Sequence, residues 1–136
     1  MKTTTAFTST GSTSGIARQR LGRDGEEWAV GVLRSRGYLV LARNWRGHDG
    51  ELDLICVESG AVVAVEVKTR RSHDYGHPAE SVTPEKLRRI ERLLLCWVHT
   101  QRPAWLRARR RVDVIALTLD TPSGSVIEIR RDVGHG

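Results

Sequence analysis

The segment ELDLICVESGAVVAVEVK, residues 51–68, constrains the fold more than any other part of the chain. Its two halves are strand-like, and Ser59-Gly60 between them supplies a two-residue turn of the kind that favours a β-hairpin. If these two residues form the turn, the register sets Asp53 against Glu66 and Glu51 against Lys68. The sequence therefore predicts two carboxylates that face each other across a hairpin.

The same register separates polar from apolar side chains, because successive residues of a strand point to opposite faces of the sheet. One face carries the charged residues Glu51, Asp53, Glu66 and Lys68. The other face carries the apolar residues Leu52, Leu54, Val63, Val65 and Val67. We expect charged groups to be confined to one corner of the sheet.

Opposed carboxylates destabilise a strand pair unless a cation, a proton or an arginine compensates them. A divalent metal compensates them and also implies a function, since Asp and Glu oxygens select Mg²⁺ or Mn²⁺. Lys68 would reach the same place and could orient an attacking water or stabilise developing negative charge. The alternative is that Asp53 and Glu66 are edge-strand acids paired with Arg or Lys68. A three-residue loop would also turn Asp53 to the other face.

Around the hairpin, periodicity and capping signals predict an α/β fold in the order α-β-β-β-α-β-β. Asp24 can cap a first helix over about residues 25–36, and a short strand at 38–43 leads into a turn at 44–50. Thr83, followed by Pro84, can cap a second helix over about residues 84–99. Two closing strands are expected at 112–119 and 126–129, joined by TPSGS.

Length and composition predict one domain over residues 20–133 behind a disordered Ser/Thr/Gly tail at 1–19. No apolar run approaches the ~20 residues that span a bilayer, so we expect no membrane segment. Cys56 and Cys96 sit in apolar stretches without metal-type spacing, which indicates buried free thiols and a cytoplasmic protein.

The chain is basic, with 22 Lys and Arg against 16 Asp and Glu, a formal charge of +6. A polyanionic partner and a merely basic surface are both compatible with this excess. Around the hairpin, the candidate nucleic-acid contacts are Arg43, Arg46, Arg70, Arg71 and Trp45. RARRR at 107–111 and three arginines of the second helix, Arg88, Arg89 and Arg92, form a further basic surface of less weight. An internal ion pair explains Asp113.

Asp53 followed by Glu66-Val67-Lys68 resembles the PD-(D/E)XK nuclease signature. The chain is also similar to the uncharacterised bacterial proteins grouped as UPF0102 (YraN-like), through several motifs in order. These are GRDGEEWA at 22–29, NWR at 44–46, GELDLI at 50–55, VEVKTR at 65–70, Lys86 and RVDV at 111–114. The resemblance implies a restriction-endonuclease-like core, a mixed central sheet flanked by helices, similar to archaeal Holliday-junction resolvases. It also implies that Glu26 approaches the metal.

The leading hypothesis is a Mg²⁺- or Mn²⁺-dependent nuclease that hydrolyses phosphodiester bonds in DNA, with branched or single-stranded DNA as candidate substrates. Asp53, Glu66 and Glu26 would hold the metal, with the Val67 backbone carbonyl and Glu51 as further ligands, and Lys68 would assist the water. A homodimer is a candidate assembly, because cutting two strands needs two such corners. The alternative is a non-catalytic nucleic-acid-binding module acting in DNA repair or uptake.

Overall fold

The computed structural model describes residues 2–7, 15–71 and 82–134. Its elements are β1 (Lys2–Phe7), α1 (Gly15–Ser35), β2 (Leu39–Gly47), β3 (Gly50–Glu58), β4 (Ala61–Arg71), α2 (Pro84–Gln101), β5 (Arg110–Thr121) and β6 (Gly124–Arg130). A short 3-10 turn, Pro103–Trp105, leads from α2 towards β5. From α1 onward, the predicted α/β order α-β-β-β-α-β-β is confirmed.

The strands form one mixed sheet in the order β1-β6-β5-β4-β3-β2, in which β4 and β5 are parallel and all other neighbours are antiparallel. Two parallel neighbours need a crossover connection, and α2 lies in the connection between β4 and β5. Two apolar cores flank the sheet. The α1-side core joins α1 to residues such as Leu54, Val65 and Ile115. The α2-side core joins α2 to residues such as Ile55, Ala64 and Val114.

The predicted hairpin register is confirmed by the β3–β4 ladder. Its pairs run from Leu54 opposite Val65 to Glu58 opposite Ala61. Ser59 and Gly60 both have positive φ, 50° and 78°, as the central residues of a tight type I′ turn do. The two-residue turn is therefore present, and the three-residue loop that would have turned Asp53 to the other face is excluded.

The amino-terminal region differs from the sequence prediction. β1 pairs antiparallel with β6, inside the segment that was predicted to be a disordered tail, and residues 8–14 lie outside the described residues. β-branched threonines suit a strand, and without β1 the backbone of β6 would be an unpaired sheet edge. α1 begins at Gly15, ten residues before the expected start. Asp24 and Gly25 are weak helix formers, but their cost is below about 1 kcal/mol each and a formed helix extends cooperatively through them.

Two further expectations about the hairpin region were wrong in detail. The turn predicted over 44–50 is mostly strand, since β2 extends to Gly47 and only His48 and Asp49 connect it to β3. Leu52 was placed on the face of Leu54, but it belongs to the α2-side core together with Ile55. Strict alternation is therefore broken between Leu52 and Leu54, at Asp53.

Of the two thiols, which were both predicted to be buried, one is confirmed and one is not. Cys56 is buried, and burial raises its pKa to about 12. Cys96 is exposed, because it falls off the buried stripe of α2 that includes Ile90, Leu94 and Trp97. In the part of the chain that the structure describes, neither helix is long and apolar enough to cross a membrane.

A buried polar cluster lies on the α1 side of β5 and is centred on Asp113, whose exposure is 0%. The Asp113 carboxylate accepts hydrogen bonds from Tyr38 Oη at 2.6 Å, Arg111 Nε at 3.0 Å and the Asp132 backbone N–H at 2.9 Å. Arg111 also donates to Glu58 at 2.7 Å. The predicted internal ion pair of Asp113 is confirmed, and it ties the segment after β6 to the sheet.

Candidate metal centre

The β3–β4 ladder ends, away from the turn, at the pair Leu54 and Val65. Asp53 on β3 and Glu66 on β4 are the next two residues in the same register. The backbone N–H of Val67 donates a hydrogen bond to Asp53 Oδ2 at 2.9 Å. The Asp53 side chain thus takes the place of a backbone acceptor for β4. This bond fixes the Asp53 carboxylate beside Glu66, as the sequence predicted.

Glu66 lies on the α2 side of β4, two residues after Ala64 of the α2-side core, and only 6% of it is exposed. Burial and the charge of Asp53 raise the pKa of Glu66 to about 7, while the charges of Lys86 and Lys68 oppose the rise. Among the described side chains, Glu66 Oε1 is the one buried nitrogen or oxygen atom without a hydrogen-bond partner. A buried acceptor without a partner costs about 1–3 kcal/mol. A cation or a proton can remove this cost.

Two lysines approach this pair of acids from different elements. Lys68 follows Glu66 by two residues on β4, and Lys86 lies in the first turn of α2. The pKa of Lys86 is lowered by hydrogen-bonding contact with Lys68 and by burial, while Glu66 and Asp53 act in the opposite direction. The four side chains form a corner with both signs of charge, which we call the Asp53–Glu66 corner.

Lys86 is the site residue to which sequence reasoning gave no role. It was noted only within the family motifs, although Thr83 was predicted to cap its helix. The structure shows this cap, with Thr83 Oγ1 accepting a hydrogen bond from the Lys86 backbone N–H at 3.1 Å. The cap fixes the first turn of α2, but only the packing of α2 on the sheet brings Lys86 to Glu66.

The residues of the corner fit a small, hard cation. Across the described residues, no group of three or more His, Cys, Asp or Glu side chains is gathered for metal binding. Mg²⁺ does not need such a group, because it keeps several waters and is usually bound through one or two carboxylates together with substrate phosphate. The free Oε1 of Glu66 beside Asp53 supplies oxygen donors of this kind.

Glu26 and Glu51, the other candidate ligands, have different partners. Glu26 lies within α1 rather than in its first turn, so the helix dipole does not explain it. Its carboxylate accepts a hydrogen bond from Asn44 at 2.9 Å and lies 3.5 Å from Arg43. Glu51 pairs with Arg46 at 3.5 Å across β2 and β3. The Val67 carbonyl remains a predicted ligand.

The candidate nucleic-acid contacts are engaged within the chain. Arg43 pairs with Glu27 at 2.8 Å and Arg46 with Glu51 at 3.5 Å. On β4, Arg70 donates to Thr118 and Arg71 pairs with Asp120, both on β5. Trp45 packs partly buried against the α2-side core. A phosphate that bound any of these four arginines would have to compete with its present partner.

Comparisons with known proteins place the motifs in a wider group. A profile described as "Uncharacterised protein family UPF0102" matches residues 25–117. The chain is 48% identical to a UPF0102 protein of Pseudarthrobacter chlorophenolicus over 120 residues, 88% of this chain and 89% of the relative. It is 43% identical to one of an Arthrobacter species, covering 87% and 98% of the two chains. A relative from Mycolicibacterium smegmatis is 48% identical, covering 76% of this chain and 84% of its own. The matched region contains the whole Asp53–Glu66 corner.

Proposed function

The chain belongs to the uncharacterised protein family UPF0102, and from the Asp53–Glu66 corner we propose that it is a Mg²⁺- or Mn²⁺-dependent nuclease that hydrolyses phosphodiester bonds in DNA. The observation that carries this proposal is the unpartnered Oε1 of Glu66, buried beside Asp53 and flanked by Lys68 and Lys86. An ordinary structural ion pair would leave no such oxygen. The corner instead has unused capacity for a cation.

In this proposal the two acids bind the cation and the two lysines bind the phosphate anion. Asp53 and Glu66 would hold the metal, which supplies a bound water of lowered pKa and neutralises charge on phosphate oxygens. Lys68 and Lys86 present ammonium groups on the same side, where they bind the phosphodiester and stabilise the negative charge that develops during hydrolysis. A half-buried site strengthens each of these interactions relative to water.

The decisive experiment is incubation with linear, single-stranded and branched DNA in the presence of Mn²⁺. Asp53→Asn, Glu66→Gln and Lys68→Ala are each expected to lower the cleavage rate by about 100-fold or more. Glu85→Gln is the matched control, because it removes an exposed acid from the first turn of α2, next to Lys86. It is expected to cleave at the wild-type rate.

Cleavage that survives all three substitutions, or no cleavage of any substrate, would overturn the proposal. The second outcome leaves room for the non-catalytic alternative, which predicts DNA binding that weakens with salt and persists in Glu66→Gln without added metal. Calorimetric titration of Mn²⁺ into wild type and Glu66→Gln separates the two, because only the nuclease needs a metal site that Glu66→Gln abolishes.

A further inference from the structure

A concentration of positive charge lies in a groove of about 520 Å³ between α2 and the start of β5. Its walls carry four exposed arginines, Arg88 and Arg92 from α2 and Arg109 and Arg110 from the chain entering β5. Leu94 and Val112 contribute apolar surface, and both belong to the α2-side core. We call this the arginine groove.

The arginine groove keeps most of its positive charge. Glu91 is the one acid among its lining residues, and Arg109 pairs with Asp132 at 2.8 Å. Arg110 donates to the Leu106 carbonyl at 3.0 Å, which leaves its charge uncompensated. Arg88 and Arg92 form no ion pair with any other residue that the structure describes. They lie one helical turn apart, so their guanidinium groups are neighbours on the surface of α2.

The arginine groove is distinct from the Asp53–Glu66 corner. Lys86 and Arg88 are two residues apart on α2, and residues at that spacing point to different sides of a helix. Along β5, Arg110 is aligned with Val62, whereas Glu66 is aligned with Val114 four residues further on. A ligand that fills both places must therefore extend past the first turns of α2.

We propose that the arginine groove is a second subsite for a phosphodiester backbone, which binds nucleic acid away from the phosphate at the corner. The proposal rests on the proposed function for the identity of the polymer. Guanidinium groups match phosphate oxygens in bidentate geometry, and an apolar floor suits the sugar edge of a backbone more than a free anion. One helix, α2, carries both Lys86 at the corner and the two arginines, so one polymer can contact both.

The test is binding of a duplex of about 24 base pairs as salt is raised from about 50 to 200 mM, measured without metal so that nothing is cut. The test variant is the double substitution Arg88→Ala/Arg92→Ala. The control with the same change of charge is Arg89→Ala/Arg107→Ala, which removes one exposed arginine from α2 and one from the chain before β5, both outside the groove lining. Thermal unfolding of both variants verifies that they are folded.

The groove variant is expected to reduce the slope of log K against log salt by about 2 and to weaken binding about 10- to 100-fold at the lowest salt. The control should change the slope by less than about half of that. Equal effects of the two variants would show diffuse surface charge and overturn the proposal, as would an unchanged slope. Competition by polyglutamate as strong as by DNA of equal charge would show an acidic-protein site instead.

A one-phosphate substrate, bis-(p-nitrophenyl) phosphate with Mn²⁺, keeps this result separate from the nuclease proposal. The groove variant is expected to hydrolyse it at the wild-type rate, since such a substrate is too small to reach the arginine groove. If the wild type cleaves neither this ester nor DNA, yet the groove variant still loses its salt slope, the nuclease proposal fails and the groove proposal stands. If hydrolysis of this small ester falls with the groove variant, the groove is not a separate subsite.

Discussion

Glu66 and Asp113 are buried carboxylates on neighbouring strands, β4 and β5, and they face opposite sides of the sheet. Their exposures are 6% and 0%. Asp113 has a donor on each oxygen, with Tyr38, Arg111 and the backbone of Asp132 around it. Glu66 has an oxygen with no donor and an acid, Asp53, as its neighbour.

The difference shows how one fold treats the same chemical group in two ways. At Asp113 the arginine charge is in direct contact, so burial of the carboxylate is compensated within the chain. At Glu66 the two lysines reduce the cost of burial but do not remove it, since its pKa still rises to about 7. The Asp113 carboxylate therefore has its hydrogen-bond and charge partners within the folded chain. Glu66 needs a cation or a proton to compensate its charge.

The largest expected effect is a loss of stability on substitution of Asp113, and it distinguishes Asp113 from Glu66. Asp113→Asn removes the charge that Arg111 and Tyr38 face, and breaking a buried pair costs about 3–5 kcal/mol. Chemical denaturation at pH 7 measures this loss. Asp120→Asn, at the exposed end of β5, is the control for removing an acid from the same strand and should cost less than about 1 kcal/mol. An equal loss in both variants would mean that the Asp113 cluster contributes no more than a surface pair.

The second prediction concerns the metal. Mn²⁺ at about 100 times its dissociation constant should raise the free energy of unfolding of wild type by about 3 kcal/mol. Asp53→Asn should abolish this gain, whereas Tyr38→Phe, which changes the Asp113 cluster, should retain it. The affinity should also fall as the pH drops through about 7, because the Glu66 proton competes with the metal. A gain that persists in Asp53→Asn would place the metal elsewhere.

The sequence predicted the parts of the corner that depend on local rules. Ser59-Gly60 sets the turn, strand periodicity then sets Asp53 beside Glu66, and Thr83 caps α2. These features involve residues near each other in sequence, so turn geometry and capping determine them. The buried stripe of α2 followed from helical periodicity in the same way.

The remaining features depend on contacts between distant segments. Lys86 reaches Glu66 only because α2 packs across β4, and no local pattern specifies that approach. Glu26 was expected at the metal, but Asn44 and Arg43 of β2 hold its carboxylate. Leu52 lies in the α2-side core, whereas Leu54 lies in the α1-side core, and the side chain of Asp53 between them bonds to the backbone of β4. Local propensity could not reveal these competing partners.

The smallest expected effect is a gain of stability in Glu66→Gln, opposite in sign to the loss in Asp113→Asn. It tests the comparison of the two carboxylates most directly. Because the pKa of Glu66 is raised from 4.5 to about 7, the folded protein keeps the Glu66 proton at pH values at which the unfolded chain has lost it. Its contribution to stability is therefore fully present below about pH 4.5 and lost as the pH rises through about 7. Glu66→Gln removes the charge, so at pH 8 without metal it should stabilise the protein by about 1–2 kcal/mol.

At pH 4 this advantage should vanish, because Glu66 is then protonated in both states and resembles glutamine. Urea denaturation of both proteins at pH 4, 6 and 8 measures the difference and cancels the titration of the other carboxylates. Glu85→Gln should follow wild type at all three values. If Glu66→Gln instead destabilises the chain at pH 8 as Asp113→Asn does, then Glu66 is a second structural carboxylate, and the unpartnered oxygen carries no argument for a ligand.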